Sequence, residues 1–295
     1  MKVELQPGTY VLAISGGVDS VALLDIVAQL PQVKLVVAHV DHGIRDDSHL
    51  DRKLVAQLVK QYEIPFVYHE AKLGPGASED VARRARYAFL RKVKESAQAH
   101  AIVTAHHHDD AVETAVLNLI RGTNRRGMSA LHANTSVVRP FLHIKKADII
   151  KHAQVNELSW REDSTNVDTR YARNRVRHTV LPKMTAEQRR EFEDTIHRFI
   201  DLNRSIDTEL ANVLHMQPHK AKLDRAQFLL LPHIVALEVM ATWLRANGLR
   251  NYDKKTLERI VIGSKTLLPG KYIDVISGCR IKVTSDALAL ELRER

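Results

Sequence analysis

Residues Tyr10 to Asp25 carry the strongest structural signal in this chain of 295 residues. An apolar run, Tyr10–Ile14, leads directly into the sequence SGGVDS, and apolar residues at helical spacing follow. We therefore predict a strand, a tight loop and a helix. The adjacent glycines allow a sharp turn and a close approach of a ligand to the backbone, and the amides at the helix start favour an anion such as phosphate. A simple turn is the alternative, because glycines often serve only that purpose.

The order of strand and helix repeats along the first half of the chain. Four more apolar runs predict strands, at Lys34–Val40, Pro65–His69, Ala101–Ala105 and Val137–Leu142. Helical patterns lie between them, one of them with Ser78 as its N-cap. Alternation of this kind predicts an α/β fold with a doubly wound parallel sheet, in which loops at the strand ends form one site.

A different pattern begins after Pro182. A long amphipathic helix comes first, and further helices and three alternating strand segments follow it. We predict a catalytic domain over residues 1–182, a linker helix over 183–218 and a second, smaller α+β domain over 219–295. Trp243 is expected in the core of this last part rather than at a binding surface.

The composition restricts the function classes. Lysine and arginine outnumber aspartate and glutamate by 44 to 35, and the pI is near 9.6. This balance favours a polyanionic partner such as nucleic acid, although solvated lysine faces alone can produce it. Cys279 is the single cysteine, which excludes an intrachain disulfide and a cysteine zinc site. Because we find no signal peptide and no apolar run long enough to span a membrane, we expect a soluble cytoplasmic protein with no membrane partner.

Polar residues follow the second and fourth predicted strands, at 41–45 and 106–110, where open α/β sheets bind their ligands. The first cluster has an ordinary turn as its alternative. The second contains three consecutive histidines, but successive side chains diverge and no distant ligand pattern completes a zinc site. A solvated helix start that favours Asp109 and Asp110 is the simpler interpretation. The functional one is that Asp110 and Asp19 hold Mg²⁺ on phosphates, or that Asp110 receives a substrate amine.

Two basic stretches are candidate RNA contacts. The helix after Ser78 carries six arginines and lysines, and residues 170–183 contain four arginines and a lysine with no acidic residue. Guanidinium groups bind phosphates through paired hydrogen bonds, and Tyr171 can stack on a base. Solvated helix faces and plain surface patches are the alternative.

Six ordered motifs together resemble those of the tRNA(Ile)-lysidine synthases, a branch of the PP-loop or N-type ATP pyrophosphatases. They are SGGVDS, HVDHGIR, ARRARYAFL, AHHHDDAVET, the pattern W-x-x-D-x-[ST]-N that starts at Trp160 and the pattern YxRNRxR that starts at Tyr171. The loop contains no Gly-Lys-Ser/Thr, so a Walker-type lysine is missing from it. Two positions depart from the family pattern, with Ala111 in place of a glutamine and Asn124 in place of a glycine.

The resemblance implies an adenine nucleotide alpha hydrolase-like fold and a defined reaction. ATP would adenylate the C2 oxygen of the wobble cytidine in a tRNA(Ile) with a CAU anticodon. The ε-amine of free L-lysine would then displace AMP, and pyrophosphate would already have left. The implied cofactors are ATP and Mg²⁺, and the last domain resembles the domain that binds the tRNA substrate.

Residue roles also follow from the resemblance. ATP binding is carried over to Ser15, Gly16, Gly17, Val18, Asp19, Ser20, His42 and Arg45. Catalysis is carried over to Asp19, His106, Asp110 and Glu113, with Mg²⁺ on Asp19 and Asp110. The tRNA is assigned to Arg83, Arg86, Asp163, Asn166, Arg173, Asn174, Arg175 and Arg177. Three of the catalytic residues, His106, Asp110 and Glu113, stay open as the group that deprotonates lysine.

Two other functions stay open at this stage. A PP-loop enzyme acting on a small molecule, similar to the NAD or GMP synthetases, would release AMP without tRNA. A non-catalytic module would bind ATP or RNA without releasing pyrophosphate. Thiolating relatives depend on cysteines for catalysis or clusters, and the lone Cys279 argues against them. The family also suggests a homodimer, and many members have a further C-terminal domain, so we expect either a short form or a truncated chain.

Overall fold

The computed structural model describes residues 1–44, 47–74, 76–122, 125–132, 136–162, 168, 172–214, 222–249, 252–276 and 278–292. They form two compact units, Met1–Ile200 and Asp201–Arg295. The first contains a parallel sheet and the second a smaller antiparallel one, which confirms the predicted fold class. The functional division into 1–182, 183–218 and 219–295 stays a prediction.

The first unit is built on five strands. They are β1 Gly8–Ala13, β2 Val33–Asp41, β3 Phe66–Glu70, β4 Ala101–Val103 and β5 Val137–Val138. Every neighbouring pair is parallel, in the order β3-β2-β1-β4-β5. The chain therefore proceeds outward from β1 in both directions, and the change of direction between β1 and β4 opens a crevice at their carboxyl ends.

Helices cover this sheet on both faces. They are α1 Val18–Ala28, α2 Ser48–Gln61, α3 Glu79–Ser96, α4 His108–Ile120, α5 Arg125–Met128, α6 Lys146–Val155 and α7 Ala172–Arg175. A π-helical turn, Val176–Val180, and a 3₁₀ turn, Leu181–Lys183, continue from α7. The 29-residue helix α8, Ala186–Leu214, comes next. Ser78 is the N-cap of α3, as predicted, and its Oγ accepts from the Val81 amide at 3.4 Å.

Burial on both faces explains why the central strands are continuous apolar runs. Val11 and Leu12 on β1, Val37 on β2 and Val103 on β4 have no exposed surface. A parallel sheet covered by helices needs apolar side chains at successive positions, unlike a half-exposed strand. The predicted strands are therefore confirmed where this pattern is strong.

The second unit packs helices against four strands. After the end of α8, its helices are α9 Arg225–Leu230, α10 His233–Ala246 and α11 Lys254–Thr266. Its strands are β6 Lys222–Asp224, β7 Tyr272–Ile276, β8 Cys279–Val283 and β9 Ala287–Leu292, in the antiparallel order β6-β9-β8-β7. Trp243 is 1% exposed, as expected of a core residue. Within the described residues, we find no helix with the length and apolar character needed to cross a membrane.

Candidate active site

The loop between β1 and α1 is held in shape by Ser20. Its Oγ accepts from the amides of Ser15 and Gly16, each at 3.2 Å, and donates to the Gly17 carbonyl at 2.9 Å. Gly16 has a φ of +97°, a conformation that residues with a Cβ rarely adopt. The sequence therefore folds into a tight turn that ends at the start of α1, with Val18 as its first residue. Such a turn presents helix amides to an anion.

Arg161 holds this loop in place, although no sequence pattern indicated that it would. Its backbone amide donates to the Gly16 carbonyl at 3.0 Å. Its side chain donates to Asp51 Oδ1 and Asp47 Oδ2, each at 2.7 Å. Arg161 thus ties the loop to the start of α2. No local pattern around Trp160 indicates this contact, which spans more than 100 positions.

The predicted carboxylate pair converges on a buried histidine. His107 is 4% exposed, and its Nε2 lies 3.8 Å from Asp19 Oδ1 and 3.6 Å from Asp110 Oδ2. Asp110 Oδ2 also accepts from the His107 amide at 3.0 Å, which fixes the start of α4. Three consecutive histidines could have drawn attention to His107, but their sequence order does not say which ring turns inward.

Two arginines predicted to bind tRNA, Arg173 and Arg177, contact carboxylates that were predicted to be catalytic, those of Asp110 and Glu113. Arg173 donates to Asp110 Oδ1 at 2.7 Å and to Glu113 Oε2 at 2.8 Å. Arg177 donates to both oxygens of Glu113, at 2.6 and 3.0 Å. The two arginines lie four positions apart on one helical path, so both side chains reach the same face. Burial alone would raise the pKa of Asp110, but Arg173 and His107 outweigh it and lower the pKa overall.

The rest of the arginine-rich motif is divided between surface and interior. Arg175 is exposed, whereas Asn174 is buried and donates to the Asp168 carbonyl at 3.0 Å. Asn174 also lines the first cavity described below. The other predicted site residues of this region, Asp163 and Asn166, lie outside the described residues, as do Arg45, Asn124, Thr165 and Tyr171.

His106 faces the same crevice and is uncharged. Its Nδ1 lies 2.8 Å from Thr104 Oγ1, just beyond the end of β4. Burial lowers the pKa of His106 to about 3; Asp110 opposes this shift, while Arg86 and Arg173 add to it. The ring is therefore a neutral hydrogen-bonding group at pH 7 rather than a cation.

His42, Arg83 and Arg86 line the opposite side of the crevice. Burial, with a smaller contribution from Arg86, lowers the pKa of His42 to about 4, so this ring is also neutral. Arg83 and Arg86 lie over the ring of Tyr87, at 4.9 and 5.6 Å from its centroid. These two arginines of α3 add positive charge beside the ends of β2 and β4.

Two cavities meet at the carboxylates. The first, of about 460 Å³, is lined by the ends of β1, β2 and β4, including Ile14 and Val40. The second, of about 900 Å³, is lined mainly by the starts of α4, α6 and α8. Asp19, Asp110 and Arg177 line both cavities and therefore stand between them.

Lys146 is another site residue that the sequence did not reveal. Its Nζ donates to both oxygens of Asp19, at 2.6 and 2.7 Å. Lys146 starts α6 and lines the second cavity. The signal in the sequence is weak, because one lysine at a helix start is common and its partner lies 127 positions away.

The carboxylates of this site are compatible with a Mg²⁺ ion whose other ligands are phosphate oxygens and water. In the part of the chain that the structure describes, no group of three or more His, Cys, Asp or Glu is arranged to hold a metal. Mg²⁺ commonly takes only one or two carboxylates and keeps water and phosphate oxygens as its other ligands. Asp19 and Asp110, which share contact with His107, meet that requirement.

Comparison with known proteins agrees with this architecture. The profile of the PP-loop domain family matches residues 2–184, more than half of the chain. A tRNA(Ile)-lysidine synthase of Solibacter usitatus is 34% identical over 197 residues, covering 66% of this chain and 45% of that protein. The tRNA(Ile)-lysidine synthase of Legionella pneumophila is 31% identical over 265 residues, covering 85% of this chain and 61% of that protein. The chain spans about half the length of the curated relatives it matches.

A solved structure supports the fold alone. The U34-tRNA thiolase NcsA of Methanococcus maripaludis, determined with its [4Fe-4S] cluster, superposes with a TM-score of 0.53 at 15% identity. The match covers 67% of this chain and 74% of NcsA. The first unit thus has the predicted PP-loop, adenine nucleotide alpha hydrolase-like fold.

Proposed function

The chain belongs to the PP-loop domain family, and from that premise we propose that it acts as a tRNA(Ile)-lysidine synthase. One observation carries the proposal: Asp19 and Asp110 both contact His107 and both line two cavities. The first cavity is lined by strand ends and the second mainly by helix starts. An enzyme that joins an adenylated base to a free amino acid needs a nucleotide site and an amine site that share reacting groups. The relatives named tRNA(Ile)-lysidine synthase support the same reading.

ATP is assigned to the loop and the first cavity. The apolar residues at the ends of β1 and β2 suit an adenine ring, and the amides at the start of α1 suit the phosphates. Neutral His42 and His106 offer hydrogen bonds to uncharged groups of the nucleotide without attracting a second anion. Arg83 and Arg86 add positive charge above them.

Asp19 and Asp110 would hold Mg²⁺, which supplies positive charge to the phosphates as pyrophosphate leaves. The lowered pKa of Asp110 keeps its carboxylate ionised for that task. Glu113 is 1% exposed and acts through Arg173 and Arg177, which it holds in place beside Asp110.

The reaction proceeds in two displacements. The C2 oxygen of the wobble cytidine attacks the α phosphorus of ATP, an O–P bond forms, and the bond to pyrophosphate breaks. The ε-amine of lysine then attacks C2, a C–N bond forms, and the C–O bond to AMP breaks with loss of a proton from the amine. Adenylation is required because an unactivated cytosine carbonyl has no adequate leaving group.

Free lysine is assigned to the second cavity. Its lining pairs carboxylates with cations, as a substrate with one carboxylate and two ammonium groups requires. Asp110 and Glu113 lie at the inner end, where the ε-amine must meet the adenylated base, and Arg190 and Glu193 are further along the lining. This arrangement would hold the amino acid with its side chain directed toward the first cavity.

The tRNA is assigned to the exposed part of the arginine-rich segment, with Arg175 as its described member. Guanidinium groups on a surface bind phosphates, whereas Arg173 and Arg177 are already hydrogen-bonded to the carboxylates of Asp110 and Glu113. The smaller unit and a homodimer remain part of the proposal as further sources of tRNA contacts.

The products of ATP cleavage test this function. The purified chain is incubated with ATP labelled at the α phosphate or, in parallel, at the γ phosphate, together with Mg²⁺ and lysine, with and without a tRNA(Ile) that bears CAU. We expect AMP and pyrophosphate to form only when the tRNA is present. AMP formation without tRNA would instead indicate a synthetase for a small molecule, and ATP binding without cleavage would indicate a binding module.

A further inference from the structure

A lysine from outside the loop stands at the loop carboxylate. Lys146 is the first residue of α6, and its Nζ donates to both oxygens of Asp19 at 2.6 and 2.7 Å. Asp19 lies in the first turn of α1, immediately after the glycines. The ammonium group is therefore located at the end of the loop where an anion would bind.

The backbone of Lys146 is fixed, while its side chain can move. The Lys146 amide donates to Asp109 Oδ2 at 3.1 Å, and the nearby Ile144 carbonyl accepts from the His108 amide at 3.0 Å. These bonds join the start of α6 to the start of α4. The Lys146 side chain is 36% exposed and has a flexible four-carbon chain, so its ammonium can change partner without displacing the helix.

The loop alone provides little positive charge for a polyphosphate. The amides of Ser15 and Gly16 are directed inward to Ser20 Oγ. The start of a helix contributes roughly half an elementary charge, whereas a nucleoside triphosphate carries several negative charges. Walker-type loops meet this demand with a lysine inside the loop, and SGGVDS has none.

We propose that Lys146 is the phosphate-binding lysine of this site and contacts the β and γ phosphates of ATP beside Asp19, which lines both cavities. The inference rests on the proposed use of ATP. On nucleotide binding, Lys146 would exchange Asp19 for phosphate oxygens, and Asp19 would then be free to hold Mg²⁺. Each charged group then keeps a partner of opposite sign throughout, so neither is left unpaired at the cavity wall.

The competing explanation is that Lys146 and Asp19 form a structural ion pair. The two explanations differ in which ligands respond when Lys146 is changed. A phosphate-binding lysine affects ligands that carry β and γ phosphates and spares AMP. A structural pair affects AMP and ATP alike, because its loss would distort the whole loop.

Isothermal titration of the full chain separates them. The probes are a non-cleavable α,β-methylene analogue of ATP with Mg²⁺, inorganic pyrophosphate with Mg²⁺, and AMP. For Lys146→Ala we expect the analogue and pyrophosphate to bind about 10- to 100-fold more weakly, as for a lost charge-assisted contact, with AMP changed less than about twofold. Lys146→Arg keeps the charge and should retain most of the affinity. Lys151→Ala removes an exposed lysine from the same helix and serves as the matched control.

The outcomes are distinguishable. Equal weakening of AMP and the analogue, or unchanged binding of the analogue by Lys146→Ala, overturns the role of Lys146 and leaves the proposed use of ATP intact. Failure of the unmodified chain to bind the analogue overturns both proposals. If Lys146→Ala unfolds, Lys146→Met, which keeps the length of the side chain without its charge, is titrated with the same three probes and is judged by the same criteria.

Discussion

Arginines of the two units bind different kinds of partner. In the first unit, Arg173 and Arg177 are paired with the carboxylates of Asp110 and Glu113, at donor–acceptor distances from 2.6 to 3.0 Å. In the second unit, Arg225 is 7% exposed, and its hydrogen-bond partners among the described residues are backbone carbonyls. Its guanidinium donates to the carbonyls of Ser264, Leu267 and Thr284, at 3.3, 2.6 and 3.0 Å.

This difference in partners distinguishes a candidate active site in the first unit from a structural contact in the second. Backbone carbonyls are fixed by the fold, so Arg225 joins the end of α11 to the turn after β8. Carboxylates of side chains can exchange one partner for another, and in the first unit they line two cavities. We therefore expect changes in the first group to remove activity more than stability, and a change at Arg225 to do the reverse.

The largest effect is expected for Asp110→Asn. The amide keeps the size of the side chain but loses the charge that Arg173 and a Mg²⁺ ion require, so lysine transfer to tRNA should fall about 1000-fold or more. The measurement is the initial rate of lysine incorporation, with Asp194→Asn on the exposed face of α8 as the control. A variant that keeps more than a tenth of the activity would contradict the role assigned to Asp110.

Arg225→Met should act on stability instead. One buried and two partly buried carbonyls would lose their donor, which we expect to lower the free energy of unfolding of the second unit by about 3 to 5 kcal/mol. Urea unfolding is followed by tryptophan fluorescence in chains that also carry Trp160→Phe, so that the signal comes from Trp243 in the second unit. Arg259→Met is the matched control, because Arg259 is exposed and donates to one carbonyl. Binding of the ATP analogue below the unfolding transition should be unchanged; its loss would contradict a purely supporting role.

Acid should weaken the first unit through His106. Burial lowers the pKa of His106 to about 3, whereas an unfolded histidine titrates near 6.5. Between these values the unfolded chain binds more protons, so the stability present above pH 6.5 is lost as the pH falls toward 3. The contribution at pH 5 is about 2 kcal/mol of lost stability. His106→Gln should show a shallower fall in unfolding free energy between pH 7 and 5, with His197→Gln on exposed α8 as control; an identical slope would argue against a buried neutral ring.

The smallest effect is expected for Arg175→Ala. Since Arg175 is exposed, its loss should weaken tRNA binding about tenfold. The slope of the logarithm of the binding constant against the logarithm of salt concentration should become shallower by about one, and ATP binding should be unchanged. Filter binding at several salt concentrations measures both quantities. Arg173→Ala should impair ATP-dependent chemistry as well. Loss of ATP binding by Arg175→Ala would show that this residue supports the fold rather than the RNA.

These contrasts also explain what the sequence could predict. The strands around Val11 and Val37 were predictable because helices cover both faces of the sheet, which imposes unbroken apolar runs. The loop was predictable because glycine at φ +97° and the hydroxyl of Ser20 are needed locally. By contrast, β6 has three residues, too few to show a period of two.

The partners within the site could not be predicted from local patterns. Arg173 was assigned to tRNA because an arginine-rich segment resembles an RNA contact, but its carboxylate partner Glu113 lies 60 positions away. Lys146 and Asp19 are separated by 127 positions. Such contacts depend on which helix starts the sheet brings to one edge, and that is a property of the packing rather than of any segment.

The most direct test of the account is the transfer of labelled lysine to RNA. The purified chain is given ATP, Mg²⁺, radiolabelled lysine and a tRNA(Ile) with CAU, or the same tRNA with its wobble cytidine changed to uridine. The account predicts acid-precipitable label with the first tRNA only, accompanied by one AMP for each lysine transferred. Label in neither tRNA, while ATP is still cleaved to AMP without RNA, would contradict the account.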